Sequence, residues 1–428
     1  MRYEIEPIEK NLQGNVTIPP SKSHTLRAIL FASLARGKST IENYLISPDT
    51  TAMILACRQL GAKIEQTDST LIIHGVDGEP KCPDDVIDAG NSGQVLRFIT
   101  GIAALLPTYT VITGDHSVRH QRPMQALIHG INQLGGFAAA SRHDGYAPII
   151  IRGPLHNGIA KINSTDSQPV SALLIAAAFI EGETAIEVLE PGEIPWIKVT
   201  LSWLTKIGVQ WEQTNFTRYK ISGKAKYNGF HYKVPGDFSS AAFPIVAALI
   251  TQSNILLENI DMQDVQGDKA VLVEFEKMGA KFVYDDNKKT LEVKPCAKLQ
   301  GINIAANDFI DAVPILAILV SYAEGHTIIT KAEIARHKES DRLTAMAQEL
   351  SKMGGKIVVT ADGLDITHST LQGATVYSHQ DHRIAMALAI AALRAQGKTV
   401  IEETACVAKS YPDFVGMLQT LGVKIREC

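Results

Sequence analysis

The sequence is poor in cysteine. Its five cysteines are odd in number, lie far apart and include no Cys-x-x-Cys pair. A disulfide framework or a structural zinc site would need closely spaced cysteines or histidines, so neither is expected. This usage predicts a reducing, cytoplasmic environment and no metal ion.

The sequence also lacks long apolar runs and a large excess of charge of one sign. Residues 1–7 show no basic stretch leading into an apolar one, and apolar segments elsewhere are interrupted within about 15 residues. The formal net charge is −4 over 428 residues. We therefore expect no export, no membrane partner and no nucleic-acid partner. Small anionic ligands remain candidates, because a local cluster of Arg and Lys is compatible with a near-neutral total.

What the sequence does contain is a sixfold repeat. An amphipathic segment ends in an apolar residue plus glycine and runs into a β-like stretch about every 70 residues, which predicts a helix, a glycine stop and a strand. The six pairs are Leu60-Gly61, Leu134-Gly135, Ile207-Gly208, Met278-Gly279, Met353-Gly354 and Leu421-Gly422. Six more apolar helices are predicted to begin near Ser23, Gln94, Gln168, Ser239, Ala312 and His382. The chain thus reads as six βαβαββ units.

The apolar helices predict how these units are arranged. They are hydrophobic almost all round, so other elements must surround them, which an open solenoid would not achieve. The length also favours two cores over one. We predict an α/β (α+β) fold, a two-domain inside-out barrel with three repeats per domain. Domain 1 comprises residues 1–20 plus 236–428 and domain 2 residues 21–235. The first strand, Tyr3 to Val16, crosses to domain 1, and the active site lies in the interdomain cleft.

Polar residues gather where the apolar helices begin. Helix N-termini attract anions through free N–H groups and a partial positive charge. Lys22, Ser23 and Arg27 open the first of these helices, and Gly93 lies at the second. Each residue alone has a structural explanation such as a salt bridge or, for Asp311, a helix cap. Together, cations at matching unit ends predict a ligand with more than one negative charge.

Seven motifs resemble those of the 5-enolpyruvylshikimate-3-phosphate synthase family of enolpyruvyl transferases. They are Ser21–Arg27, Gly90–Gly93 with Arg97, Gln121–Pro123, Gly236–Ser240, Lys338–Arg342, Asp381–Arg383 and Lys409–Pro412. The resemblance implies transfer of the enolpyruvyl group of phosphoenolpyruvate to the 5-hydroxyl of shikimate 3-phosphate, with release of phosphate. It implies these two small-molecule partners, no cofactor and a monomer.

The resemblance also implies a role for each matching residue. Shikimate 3-phosphate would be held by Lys22, Ser23, Arg27, Ser167, Gln168, Asp311 and Lys338. Phosphoenolpyruvate would be held by Lys22, Gly93, Arg122, Gln168, Arg342, Arg383 and Lys409. Asp311 would be the general base on the hydroxyl, Glu339 and His382 would handle the proton at the methylene carbon, and Lys22 would assist.

Two positions depart from the family pattern. Asp166 and Glu193 place carboxylates where serines commonly contact the acceptor phosphate. Two unit charges about 4 Å apart repel by roughly 1 kcal/mol in water and about 4 kcal/mol at an effective dielectric of 20. Either the carboxylates turn away and pair with Lys or Arg while Ser167 keeps the phosphate, or the acceptor has no phosphate there, or Glu193 is misaligned. We favour the first.

Other functions fit the sequence less well. UDP-N-acetylglucosamine enolpyruvyl transferases usually have Lys-Asn where this chain has Lys22-Ser23, and a cysteine in the loop before Arg122 that is absent here. An enolpyruvyl transferase for another alcohol and a noncatalytic anion-binding protein of the same fold remain alternatives. Asp311 and Glu339 argue against the latter, because pure anion binding would favour losing both. An RNA 3′-phosphate cyclase would need a nucleic-acid surface, which the charge does not support.

Overall fold

The computed structural model describes residues 1–428 and divides into two compact units. Unit 1 comprises Met1–Pro19 and Pro235–Cys428, and unit 2 comprises Pro20–Val234. None of the helices combines the length and hydropathy that crossing a bilayer requires.

The chain begins with two strands that belong to unit 1, β1 (Arg2–Ile5) and β2 (Gln13–Thr17). Unit 2 follows. Its helices are α1 (Lys22–Leu34), α2 (Pro48–Gln59), α3 (Gly93–Ala103), α4 (His116–His120), α5 (Gln125–Gln133), α6 (Ser167–Ala177) and α7 (Ile194–Lys206). Its strands are β3 (Lys38–Glu42), β4 (Lys63–Gln66), β5 (Thr70–His74), β6 (Ile87–Asp88), β7 (Thr110–Thr113), β8 (Phe137–Ala140), β9 (Ile149–Arg152), β10 (Ile159–Ile162), β11 (Glu183–Val188), β12 (Trp211–Thr214), β13 (Arg218–Ser222) and β14 (His231–Lys233).

The rest of the chain completes unit 1. Its helices are α8 (Phe238–Ile250), α9 (Val271–Lys277), α10 (Val313–Tyr322), α11 (Arg342–Lys352), α12 (His382–Ala392) and α13 (Phe414–Thr420). Short 3₁₀ helices span Gly267–Ala270, Ile310–Ala312, Glu333–His337 and Thr404–Lys409. The strands are β15 (Asn254–Glu258), β16 (Lys281–Asp285), β17 (Thr290–Lys294), β18 (Ile304–Ala305), β19 (His326–Thr330), β20 (Lys356–Val359), β21 (Leu364–Thr367), β22 (Thr375–Tyr377), β23 (Thr399–Glu402) and β24 (Ile425–Glu427).

Each unit contains three four-stranded sheets built to one plan. In the sheet β6-β7-β9-β8, the parallel pair β6 and β7 is joined through α3, and the antiparallel hairpin β8–β9 adds the remaining strands. The other five sheets likewise combine one parallel pair with antiparallel neighbours. The predicted α/β fold with six βαβαββ units is confirmed. The sheets remain separate and form no closed β-barrel.

Strands that precede unit 2 and the last strand within it complete sheets whose other strands lie far away along the chain. The single strand expected from Tyr3 to Val16 is wrong, because β1 inserts between β23 and β24 while β2 pairs in parallel with β15. The segment between them is irregular and contains Pro7, which has no backbone N–H to donate. In unit 2, β14 supplies the parallel partner of β3. Each unit therefore completes its sheets with strands distant in sequence.

The predicted glycine stops are confirmed. All six marker glycines have positive φ angles, between 79° for Gly208 and 111° for Gly279. An L-residue with a side chain rarely adopts this left-handed backbone, whereas glycine does so without steric cost. The glycines therefore end the amphipathic helices and turn the chain into the next strand.

The six apolar helices form the cores and begin within one residue of their predicted starts. Every residue of α8 is buried, and α8, α10 and α12 pack against one another in unit 1. In unit 2 the closest pair is α3 and α6, where a Cβ added at Gly101 would lie 2.8 Å from the carbonyl oxygen of Ala172. Since every core helix follows its strand in the same sense, polar residues from different helix starts meet within each unit.

Candidate functional site

Each unit carries its own polar cluster at the N-terminal ends of its core helices. The unit 2 cluster comprises Lys22, Ser23, Arg27, Asp49, Gly93, Arg97, Arg122, Asp166, Ser167, Gln168 and Glu193. The unit 1 cluster comprises Asp268, Asp311, Lys338, Glu339, Arg342, Asp381, His382, Arg383 and Lys409. All candidate residues from the sequence fall in one of these two clusters.

The start of α1 is tied to the neighbouring helix starts. The Ser21 hydroxyl caps α1 by accepting from the backbone N–H of His24. Lys22 Nζ lies 3.3 Å from Asp49 Oδ2, which also accepts from the Ser92 hydroxyl. Asp49 was not among the predicted site residues, although its place in the first turn of α2 after Ser47-Pro48 was a usable signal. Lys22 is thus held by a carboxylate from the next helix.

Arg27 is a buried cation whose partners are neutral. Its guanidinium is 1% exposed, donates to Thr200 Oγ1 from Nε and Nη2 at 3.1 and 2.8 Å, and lies 4.9 Å from the Phe98 ring centroid. Burial lowers the pKa of Arg27 to about 9. Removing a cation from water without a counter-ion is unfavourable, so this group favours an incoming anion.

The start of α3 is arranged around Arg97. Its guanidinium donates to Gln168 Oε1 at 2.7 Å and to the carbonyl oxygen of Pro123 at 3.0 Å. A Cβ added at Gly93 would lie 3.0 Å from Arg97 Nη1 and 3.2 Å from Gln168 Oε1. Gly93 therefore leaves room for this bridge. Burial lowers the pKa of Arg97, a tendency opposed by Asp166 and Glu193 and reinforced by Arg122.

The two carboxylates that depart from the family pattern lie at the start of α6. Asp166 caps this helix by accepting from Gln168 N at 2.9 Å, and its other oxygen lies 3.1 Å from Arg97 Nη2. The expected pairing of this carboxylate with an arginine is therefore seen for Asp166. Glu193 Oε2 accepts from both the backbone N–H and the hydroxyl of Ser167, each at 3.1 Å. Ser167, expected to hold the acceptor phosphate, bonds to a carboxylate of the chain itself.

Arg342 is the centre of the unit 1 cluster and binds three carboxylates. Its nitrogens lie 2.7 Å from Asp311 Oδ1, 2.8 Å from Glu339 Oε2 and 2.8 Å from Asp381 Oδ2. Burial favours the neutral form of Arg342, but Asp381, Glu339 and Asp311 outweigh it and raise its pKa. The arginine is therefore permanently charged and fixes all three carboxylates.

Asp311 is held between two arginines. Its second oxygen lies 3.0 Å from Arg383 Nη2, which also donates to the Ser239 hydroxyl. Burial alone would raise the pKa of Asp311, but Arg383, Arg342 and Lys338 outweigh it and hold the pKa well below its usual range. Asp311 is consequently ionised, the form that a general base requires, although its two cations weaken its basicity.

Glu339 and His382 lie beside the same arginine. Glu339 Oε1 lies 2.8 Å from Lys409 Nζ, and His382 Nδ1 lies 3.6 Å from Asp381 Oδ1. Ligand atoms of Glu339, Asp381 and His382 approach within 4.8 Å of one another, a spacing compatible with a metal ion. Both carboxylates already pair with Arg342, and this cationic partner makes the group a poor metal site.

Asp268 is a buried carboxyl that the sequence reading did not include. It is 1% exposed, and neither of its oxygens has a hydrogen-bond partner. Burial raises the pKa of Asp268 well above its usual range, Asp311 adds to this effect and Arg383 opposes it. A neutral Asp268 next to an ionised Asp311 is thus the arrangement that the surroundings favour. Its only sequence signal was an acidic residue at a helix start.

Comparison with known proteins gives consistent matches along the chain. The family model described as EPSP synthase (3-phosphoshikimate 1-carboxyvinyltransferase) matches residues 7–418. The 3-phosphoshikimate 1-carboxyvinyltransferase of Chlamydia caviae is 44% identical over 429 residues, covering 100% of this chain and 95% of the relative. That of Methanocella arvoryzae is 45% identical, covering 97% and 98%. A solved EPSP synthase from Acinetobacter baumannii has a TM-score of 0.84 at 29% identity, covering 100% of both chains.

Proposed function

The chain belongs to the EPSP synthase family, and we propose that it transfers the enolpyruvyl group of phosphoenolpyruvate to the 5-hydroxyl of shikimate 3-phosphate, releasing phosphate. This reaction is a step of the shikimate pathway, which leads to chorismate and the aromatic amino acids. Relatives that match over nearly the whole chain carry this enzyme name. The structural observation that supports it most is Asp311, an ionised carboxylate held beside two arginines.

The proposed substrate contacts come from both clusters. In this proposal Lys22, Ser23, Arg27, Ser167 and Gln168 of unit 2 bind shikimate 3-phosphate together with Asp311 and Lys338 of unit 1. Phosphoenolpyruvate is bound by Lys22, Gly93, Arg122 and Gln168 from unit 2 and by Arg342, Arg383 and Lys409 from unit 1. Arginine suits this substrate because its planar donors pair with carboxylate and phosphate in bidentate fashion.

Asp311 would take the proton of the attacking hydroxyl. The 5-oxygen bonds to C2 of phosphoenolpyruvate while its proton passes to Asp311 and the methylene carbon C3 gains a proton. The C2–O bond to phosphate then breaks as C3 loses a proton, which leaves the enolpyruvyl ether and free phosphate. Glu339, beside Lys409, and His382 are the groups proposed to move the proton at C3. Positioned cations stabilise the charge that develops on the departing phosphate.

Binding of phosphoenolpyruvate would make Asp311 a better base. Arg342 and Arg383 neutralise Asp311 in the free protein and hold its pKa low. An anionic substrate that draws both guanidiniums toward itself reduces their effect on Asp311, so its pKa rises toward the operating pH. General-base catalysis is most efficient when the pKa of the base lies near that pH. The base is therefore strengthened when the second substrate is present.

Phosphate release tests this function directly. The protein is mixed with phosphoenolpyruvate and either shikimate 3-phosphate, shikimate or UDP-N-acetylglucosamine, and free phosphate is followed with time. Of the three acceptors, only shikimate 3-phosphate is expected to give turnover. Turnover only with another alcohol would replace this acceptor, and no turnover with any acceptor would favour a noncatalytic anion-binding protein. The proposal further assumes a monomer acting in the cytoplasm, which sedimentation and fractionation would check.

A further inference from the structure

We propose that Glu193 is an internal competitor that sets the affinity of this protein for its anionic acceptor. In the free protein its carboxylate occupies the donors of Ser167 that an acceptor phosphate would use, so the acceptor must displace it. This inference rests on the proposed function, because it concerns the acceptor site of that reaction.

The donors of Ser167 are already bound to an anionic group in the structure. Glu193 Oε2 accepts from Ser167 N and Ser167 Oγ at 3.1 Å each, and the adjacent N–H of Gln168 bonds to Asp166. The first two backbone donors of α6 are therefore both bound to carboxylates of the chain. Free N–H groups and the helix dipole make this position favourable for a phosphate as well as for a carboxylate.

The backbone holds Glu193 in this position. Glu193 has φ 48° and ψ 41°, a left-handed conformation that costs a residue with a side chain some strain. The preceding Gly192 is packed so closely that a Cβ there would lie 2.3 Å from the carbonyl oxygen of Thr165. The side chain is 1% exposed. The fold therefore directs the Glu193 side chain to Ser167. Glu193 is not a mobile surface residue that happens to lie near a donor.

The local charges make simultaneous occupation unfavourable. Glu193 and Asp166 both act on Arg97 and favour its charged form. Asp166 already serves as helix cap and as ion-pair partner of Arg97. A phosphate placed next to both carboxylates would meet like charges at short range, which are strongly repulsive in a partly desolvated site. Glu193 occupies both donors of Ser167, so it is the carboxylate that the acceptor phosphate has to displace there.

Removal of the competing charge tests the proposal. Binding of shikimate 3-phosphate and of inorganic phosphate is measured by calorimetry for the wild type and for Glu193→Ser and Glu193→Gln. We expect Glu193→Ser to bind shikimate 3-phosphate about tenfold more tightly, with KM for this substrate falling in parallel and KM for phosphoenolpyruvate changing less. Glu193→Gln still accepts from Ser167 without a charge, so its gain should be smaller.

Glu190→Ser is the matched control, because Glu190 is exposed and lies in the same segment. It removes one negative charge without touching Ser167 and should leave both dissociation constants unchanged. Weaker or unchanged binding in a folded Glu193→Ser would overturn the proposal, as would an equal gain in Glu190→Ser. The proposed function fails separately, through absence of wild-type turnover with shikimate 3-phosphate. In that case the series with inorganic phosphate still decides whether Glu193 competes.

Discussion

Arg27 of unit 2 and Arg342 of unit 1 are equally buried but have opposite surroundings. Both are 1% exposed. Arg342 lies against three carboxylates that raise its pKa, whereas Arg27 bonds to a hydroxyl and backbone carbonyls, and burial lowers its pKa to about 9. The difference separates a cation that carboxylates of the protein neutralise from a cation whose partners are neutral. Burial alone therefore does not decide the pKa of an arginine, because the charge of its partners sets the direction of the shift.

The same contrast extends to the rest of the two clusters. Unit 1 brings together Asp311, Glu339 and Asp381 around one guanidinium, which gives it the groups for proton transfer. Unit 2 presents helix starts whose donors are satisfied by Asp166 and Glu193 or by neutral groups. We therefore propose that unit 1 supplies mainly the groups for proton transfer and unit 2 mainly those for acceptor recognition, and four substitutions test this division.

The largest effect is expected for Asp311→Asn. The amide keeps the shape but cannot take the proton, so kcat should fall by about 10²–10⁴-fold, the range typical of a lost general base. KM for shikimate 3-phosphate should change much less. Steady-state kinetics measure both. Asp308→Asn, an exposed neighbour, serves as control and should be fully active. A kcat within threefold of wild type, a threshold of about 0.6 kcal/mol, would remove Asp311 from the proposed mechanism.

Arg342→Met should greatly destabilise unit 1. The substitution leaves the buried carboxylate of Asp381 without its arginine, and breaking a buried ion pair in this way typically costs about 3–5 kcal/mol. Chemical denaturation of the ligand-free protein measures the loss. Arg336→Met provides the comparison, because Arg336 pairs with Asp341 near the surface and such pairs contribute about 1 kcal/mol or less. Similar losses in both variants would show that the network around Arg342 has no special role.

Arg27→Met should separate stability from binding. The substitution removes a buried charge that has no counter-ion, so the free energy of unfolding should change by no more than about 1 kcal/mol. The affinity for shikimate 3-phosphate should nevertheless fall about 10–100-fold, as expected when a charged hydrogen-bond donor is lost. Thermal melting and calorimetry give the two quantities. A strongly destabilised protein with unaltered acceptor affinity would mean that the role of Arg27 is structural.

The smallest effect is expected for Asp268→Asn, and it should depend on pH. Because the folded protein raises the pKa of Asp268 above its unfolded value of about 3.9, this carboxyl supports the fold most below that value. Its contribution is lost as the pH rises through the folded pKa. The asparagine variant does not ionise, so its stability relative to wild type should increase as the pH is raised from about 4. Melting curves across pH, with exposed Asp286→Asn as control, test this. A constant difference would indicate that Asp268 is ionised in the folded protein.

The repeat made much of the fold predictable. The starts of the core helices near Ser23 and His382 and the stops at Gly61 and Gly208 follow from local patterns of apolar residues and glycine. The division of the first strand was not predicted, although Pro7 was a usable signal, because nothing local shows that the two ends of the segment from Tyr3 to Val16 join different sheets. Strand pairing between residues this far apart depends on tertiary contacts.

The sequence by itself determined the six units, their core helices and which polar residues lie at the helix starts. Each of these features depends on residues that are close together in the sequence. Only the tertiary structure decided which of these residues partner one another. Arg97 pairs with Asp166, Ser167 with Glu193, and Arg342 with Asp311 across long stretches of chain. Asp268 was recognised as a member of the unit 1 cluster only from its burial. Charge and pKa depend on distance and desolvation in space, and residue order along the chain specifies neither.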